Sequence, residues 1–263
     1  MVSKMEQKQP LTSEQIKSAM GMGFIHNKGT NAFSGRIITK NGQLSAEQLR
    51  TIGDASLKFG SGSVVFTVRL SVEVPGIDFD DIAAFRDFIA QADLQTGGTG
   101  MRVRPVVACK GTTCKYGLSD TLGIAAEIHK RFYEGYHDVK LPHKFKIAIG
   151  GCPNNCVKPD LNDLGIVSVR LPKSGTDGCF KVYIGGKWGK KVRIGSPLAK
   201  LFNQNEMMDI IEKAILFYMS EGKPGERFGD AVDRMGVEET EKTLVSDLLL
   251  QNKEKILSEV EKL

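Results

Sequence analysis

The chain has 263 residues, 41% of them hydrophobic and 25% charged, with a formal net charge of +5; this suits a globular protein with one large or two small cores. Its basic residues are dispersed, with no basic helix and no aromatic interleaving, which argues against a nucleic-acid partner. The N-terminus is polar, with no apolar signal-peptide core, and no run reaches membrane-spanning length, so the expectation is a cytoplasmic protein with no membrane partner.

Residues 1–10 read as a loose arm. Thr12 or Ser13 then caps a short helix, S-E-Q-I-K-S-A-M-G-M, closed by glycines. A strand is expected near F-S-G-R-I-I-T-K, a turn at Asn41-Gly42, and a helix through Phe59 opened by a capping box of Ser45 and Gln48. The run S-V-V-F-T-V-R-L-S-V-E-V reads as one strand ending at Pro75-Gly76. An amphipathic helix over about 80–95 follows, with Ile82, Phe85, Phe88 and Ile89 on one face. This order predicts a small α+β sandwich, and T-G-G-T-G at 96–100 is the candidate hinge.

The second part opens with a predicted strand, M-R-V-R-P-V-V-A, followed by a helix over about 118–136 and the strand K-F-K-I-A-I. G-I-V-S-V-R and F-K-V-Y-I-G-G look like a hairpin joined by P-K-S-G-T-D-G. The remainder reads as helices over about 205–220 and near R-F-G-D-A-V-D-R-M-G, then a charged helix from Glu238 onward with no assignable chemistry. No internal repeat is visible.

Four of the five cysteines fall in two pairs, Cys109 with Cys114 in C-K-G-T-T-C and Cys152 with Cys156 in G-G-C-P-N-N-C. Four soft thiolates converging on one point are tolerable only when a cation or an iron–sulfur cluster neutralises them. Gly150, Gly151, Pro153, Asn154 and Asn155 form a tight turn that lets the backbone approach a cofactor and offers N–H donors to sulfur. Unrelated buried thiols are the plain alternative. Zinc is another, although its usual C-x2-C spacing is absent. Cys179 sits in an apolar strand pattern and reads as a small buried hydrophobe.

A cysteine pair opening a helix, then a strand and G-C-P-N-x-C, resembles the sirohaem and 4Fe-4S domain of the sulfite and nitrite reductase family. The first pair here has four intervening residues, where the family usually has five. The resemblance implies that Cys109, Cys114, Cys152 and Cys156 hold one 4Fe-4S cluster, with Cys156 also bridging to the iron of a sirohaem. It implies an α+β fold: a ferredoxin-like half over 1–98, a sirohaem and 4Fe-4S binding domain over 99–235, and a helical C-terminal extension over 236–263.

Sirohaem is a polycarboxylate and the substrates are anions, so fixed cations are required. Lys144 and Lys146 are two apart and share a face if extended, as do Arg102 and Arg104, while Arg69 interrupts an apolar run. L-P-x-K-F-K resembles the family stretch with two substrate-binding lysines, pointing to Lys144 and Lys146. T-V-R-L and R-P-V-V-A-C resemble its T-T-R and R-N-V segments, pointing to Arg69 and Arg104. Arg102, Asn154 and Asn155 are further candidates for cofactor binding. So are Lys187, Lys190, Lys191 and Arg193, from Y-I-G-G-K-W-G-K-K and R-I-G-S-P, whose glycines and cations suit cofactor carboxylates. His26, His129, His137 and His143 are scattered; His143, beside Lys144, is the one that draws notice.

The implied activity is six-electron reduction of sulfite to sulfide, favoured over nitrite to ammonia. No cysteine-rich insert lies between Cys156 and Cys179, so electrons would come from a separate ferredoxin or flavoprotein. In the fused relatives, one copy supplies the anion-binding residues and the other the cysteines. A single copy is therefore expected to form a twofold homodimer with composite sites. The alternative function is a 4Fe-4S electron-transfer subunit that reduces no anion itself.

Overall fold

The computed structural model describes residues 9–170 and 179–260, and the chain divides into two compact units, Met1–Gly100 and Met101–Leu263. The division falls at the end of T-G-G-T-G.

In the first unit, α1 (Ser13–Gly21) and α2 (Ala46–Phe59) each start with a reciprocal capping box, Thr12 with Gln15 and Ser45 with Gln48. Each box satisfies two of the N–H groups that a helix start leaves bare. The strands β1 (Phe24–His26), β2 (Ala32–Ile37), β3 (Val65–Phe66) and β4 (Val72–Asp78) form an antiparallel sheet in the order β1-β2-β4-β3. Together with α3 (Ile82–Ala90) they bury Phe24, Phe33, Ile37, Ile52, Val72, Val74, Phe85 and Ile89 in one core. Asn41 and Gly42 have φ of 56° and 86°, the paired left-handed conformation of a tight hairpin turn.

Three expectations for this unit change. The apolar run from Ser63 to Val74 is a hairpin of β3 and β4, not one strand. Its turn is closed where Thr67 N–H donates to the Ser71 carbonyl and the two hydroxyls meet at 2.7 Å. Arg69 therefore rides on a turn. β4 also continues past Pro75-Gly76 to Asp78, because a register shift in the β2–β4 pairing accommodates the proline. Finally, α3 ends at Ala90, ahead of a turn in which Asp93 has a left-handed φ of 54°.

The second unit is built on a five-stranded sheet of β5 (Val107–Ala108), β6 (Ile147–Gly150), β7 (Leu164–Val169), β8 (Cys179–Ile184) and β9 (Ser196–Phe202), in that order. β5, β6 and β7 run parallel, and β8 and β9 are antiparallel additions. The crossover from β5 to β6 is α4 (Thr121–Ile128), capped where Gly123 N–H donates to Asp120, then a π-helical stretch over His129–Glu134. The expected strand over 101–108 is regular only at its end, although Val103 still bridges to Phe145. The loop expected over 172–178 lies outside the described residues. β9 is not among the expected strands: its start, in R-I-G-S-P, reads as glycine and cation suited to cofactor carboxylates.

The sheet is covered by α5 (Gln204–Glu221), opened by an Asn203–Glu206 capping box and buried along most of its length. Then come α6 (Phe228–Met235), α7 (Val237–Val245), α8 (Leu248–Gln251) and α9 (Lys253–Glu259). The expected single C-terminal helix is thus three short ones. Leu244, Leu249 and Ile256 from them enter the same core as the sheet. Buried Glu212 of α5 accepts from Tyr136 at 2.8 Å and Lys253 at 2.5 Å, and also pairs with Arg131, tying α9 and the π-helical stretch to α5. Among the described residues, no helix is long and apolar enough to cross a membrane.

The link from α5 to α6 is fixed by Glu226. Its carboxylate accepts from Arg234 and from the Lys223 N–H at 2.9 Å, while its carbonyl accepts from the Tyr218 hydroxyl. The Arg234 hydrogen bond holds the Glu226 carboxyl at about 2, below its ordinary 4.5. A depressed folded value contributes stability that is complete above the ordinary value and is lost as pH falls through the folded one. The stability difference between the wild type and Glu226→Gln in urea unfolding is therefore expected to be constant above about pH 5 and to shrink towards pH 3; a difference independent of pH would contradict this.

Candidate functional site

Both cysteine loops leave from the same edge of the sheet. Cys109 follows β5 directly, and its N–H donates to the Ile149 carbonyl of β6 at 3.2 Å; Cys152 comes just after β6. Gly151 N–H donates to the Cys109 sulfur at 3.1 Å, and Leu118 N–H donates to the Gly151 carbonyl at 2.8 Å. The loop holding Cys114 is thereby laced to the one holding Cys152. Gly117 admits no side chain, since a Cβ there would lie 2.1 Å from the Gly111 carbonyl oxygen, and a Cβ on Gly151 would crowd the Cys109 sulfur at 3.3 Å. Beyond it, Asn155 and Lys158 take left-handed φ of 55° and 50°, and Asn155 donates to Asp160 at 3.0 Å. Cys109, Cys114 and Cys152 are half-buried, Cys156 is exposed, and Cys179 is half-buried at the start of β8.

Among the described residues, no three His, Cys, Asp or Glu side chains stand close enough to share one ion. A cubane cluster needs no such convergence, because each thiolate binds its own iron and the cluster fills the space between them. A glycine-lined approach, a backbone N–H aimed at sulfur and four thiols from two adjoining loops fit a 4Fe-4S cluster better than a single zinc.

The cationic residues enter the sheet from its other end. Arg104 N–H donates to the Phe145 carbonyl, which sets Arg104 beside the segment holding Lys144 and Lys146. All three act on His143, together with Arg227, a residue the sequence reading missed. Burial and then Arg227, Lys144, Arg104 and Lys146 all push the His143 imidazole below its ordinary value. Arg227 stands ahead of α6 and donates to both oxygens of fully buried Asp163 at 2.9 Å. Asp163 also accepts from the Lys146 N–H at 2.9 Å. Burial pushes the Asp163 carboxyl up, while Arg227 pulls it down. The available signal was an arginine at a helix start, where a capping side chain is usual.

The other candidates are dispersed. Arg102 is buried and meets His137 Nε2 at 2.7 Å, so it does not join Arg104; burial and then Arg102 lower the His137 value. Lys187 pairs with Asp230 at 2.5 Å, and Arg193 donates to Asp233 and to the Ile184 and Gly185 carbonyls, so both tie the strand connection to α6. Lys190, Lys191 and Asn154 are exposed, and Arg69 lies in the first unit.

A family model described as the nitrite and sulphite reductase 4Fe-4S domain matches residues 99–251, and one described as the nitrite/sulfite reductase ferredoxin-like half domain matches 26–92. The chain is 28% identical over 247 residues to an uncharacterized protein of Methanocaldococcus jannaschii, covering 77% of this chain and 87% of that one. It is 26% identical over 242 residues to the NAD(P)H nitrite reductase of Emericella nidulans, covering 90% of this chain but 20% of that protein. The crystal structure of dissimilatory sulfite reductase I superposes with a TM-score of 0.72 at 17% identity, covering 81% of this chain and 69% of that one. The cysteine loops fall inside the first matched domain and β2, β3 and β4 inside the second, and the chain belongs to the nitrite and sulfite reductase family.

Proposed function

We propose that the chain reduces a small oxyanion, sulfite in preference to nitrite. It would use a 4Fe-4S cluster held by Cys109, Cys114, Cys152 and Cys156, and a sirohaem that Cys156 would also help to hold. The observation that carries this reading is the gathering of Arg104, Lys144, Lys146 and Arg227 around one imidazole. A bare electron carrier has no use for cations placed in this way, whereas a small oxyanion does.

When bound, the cluster supplies electrons singly and the sirohaem supplies the iron that holds the substrate. The chain's own residues do the remainder. Lys144, Lys146 and Arg104 bind the anion's oxygens and polarise its S–O or N–O bonds. The lysines suit proton delivery as oxygen leaves as water, because a crowded cationic pocket lowers an ammonium's hold on its proton. Asp163 anchors both Arg227 and the Lys146 backbone, which fixes the height of that lysine along the strand. Exposed Cys156 suits a thiolate that reaches a second group, and exposed Lys190 and Lys191 with Asn154 suit cofactor carboxylates. The free thiols suit a reducing, cytoplasmic setting, and a ferredoxin or flavoprotein would serve as donor.

Lys146 and Cys152 are separated by the length of β6, about 20 Å of extended backbone. Within one chain the cations and the cysteines thus lie at opposite ends of the same strands. The reading therefore includes a twofold homodimer in which the cations of one chain, Arg69 among them, serve the partner's cofactors.

Lys146→Met is expected to keep its full iron and sulfide content while turnover falls by about 10²-fold or more; unchanged turnover would remove the lysine from the reaction. Sedimentation of the loaded enzyme is expected to show a dimer, and an active monomer would contradict the shared site.

A further inference from the structure

We infer that His143 is a further member of this anion site, a neutral imidazole that donates its Nε2–H to the bound oxyanion. The inference rests on the cation site proposed above and adds to it a group that carries no charge.

The geometry fixes which nitrogen holds the proton. Lys144 N–H donates to His143 Nδ1 at 2.7 Å, so Nδ1 is an acceptor and the proton of the neutral ring resides on Nε2. Protonating Nδ1 would set two N–H groups against each other. Behind the His143 backbone, the Tyr218 hydroxyl donates to the Glu226 carbonyl.

The charged surroundings favour the same state. Facing the ring are Arg104 from the segment ahead of β5, Lys144 and Lys146 from the segment ahead of β6, and Arg227 from the start of α6. Asp163, a carboxylate of the same region, is taken up by Arg227 and the Lys146 amide. An imidazolium would add a further positive charge beside these cations. A neutral ring adds a directional donor with no repulsion. Such a donor recognises the oxygen of a small oxyanion and leaves proton delivery to the lysines.

The two amide replacements of histidine separate this role from a structural one. Glutamine keeps an N–H near the Nε2 position but loses the acceptor for the Lys144 amide; asparagine keeps the acceptor but loses the donor. Sulfate, an inert oxyanion, is titrated calorimetrically into the cluster-loaded protein without oxygen, in buffers of different ionisation enthalpy, from about pH 5.5 to 7.5. His143→Gln is expected to bind within about threefold of the wild type and His143→Asn about tenfold more weakly. The wild type and His143→Gln should exchange the same number of protons. Equal behaviour of the two variants, whether both bind or both fail, would overturn the donor role. So would a proton taken up by the wild type and not by His143→Gln. Sulfate binding no more tightly to the wild type than to Lys146→Met would instead overturn the cation site itself.

Discussion

Parallel pairing of β5 with β6 decides where the chemistry of this chain goes. Parallel strands share a common direction, so their C-terminal ends open on one edge and their N-terminal ends on the other. Val107 pairs with Ala148 and Ala108 with Ile149. Two cysteine loops some forty residues apart in sequence are therefore neighbours, joined by the Gly151 N–H to the Cys109 sulfur. The same pairing brings Arg104 alongside Lys144 and Lys146 at the opposite edge. β6 is buried at every residue, as a central parallel strand should be. It is a rigid rod between the end that carries the cysteines and the end that carries the lysines.

The second constraint is electrostatic. Asp163 is wholly buried and is tolerable only because Arg227 and the Lys146 amide satisfy its oxygens. That arrangement links the loop after Cys156 to the start of α6 and to the strand that presents the lysines. Glu212 plays a comparable part on the far side of α5, where Arg131, Tyr136 and Lys253 meet. Lys187 and Arg193 are committed to Asp230 and Asp233 for the same reason. Carboxylates from α6 already supply the counter-charge that cofactor carboxylates were expected to provide.

What the sequence disclosed was local or chemically exclusive. Capping boxes at Ser45 and Asn41-Gly42 turn chemistry are set within a few residues, and thiolate pairs next to glycine and proline have few uses. Phe145 is buried between half-buried Lys144 and Lys146, as the alternation read from K-F-K expects. The Thr67–Ser71 turn was hidden because its flanks, V-F and V-E-V, are as apolar as a continuous strand would be. β9 was hidden by Pro197 and by glycines that serve a strand connection. Arg227 and Asp163 stand 64 residues apart, and their meeting depends on tertiary packing that no local pattern encodes. The internal partners of Arg102, Lys187 and Arg193 were concealed in the same way.

On the proposed reading the chain holds a sirohaem beside its cluster and reduces an oxyanion there. The visible absorption spectrum of protein purified without oxygen, from cells that make sirohaem, tests it most directly. The bands of an iron isobacteriochlorin are expected over the iron–sulfur absorbance, shifting when sulfite or nitrite is added to the reduced protein. A brown iron–sulfur spectrum with no tetrapyrrole band, even after sirohaem is supplied, would contradict it and leave an electron carrier in its place.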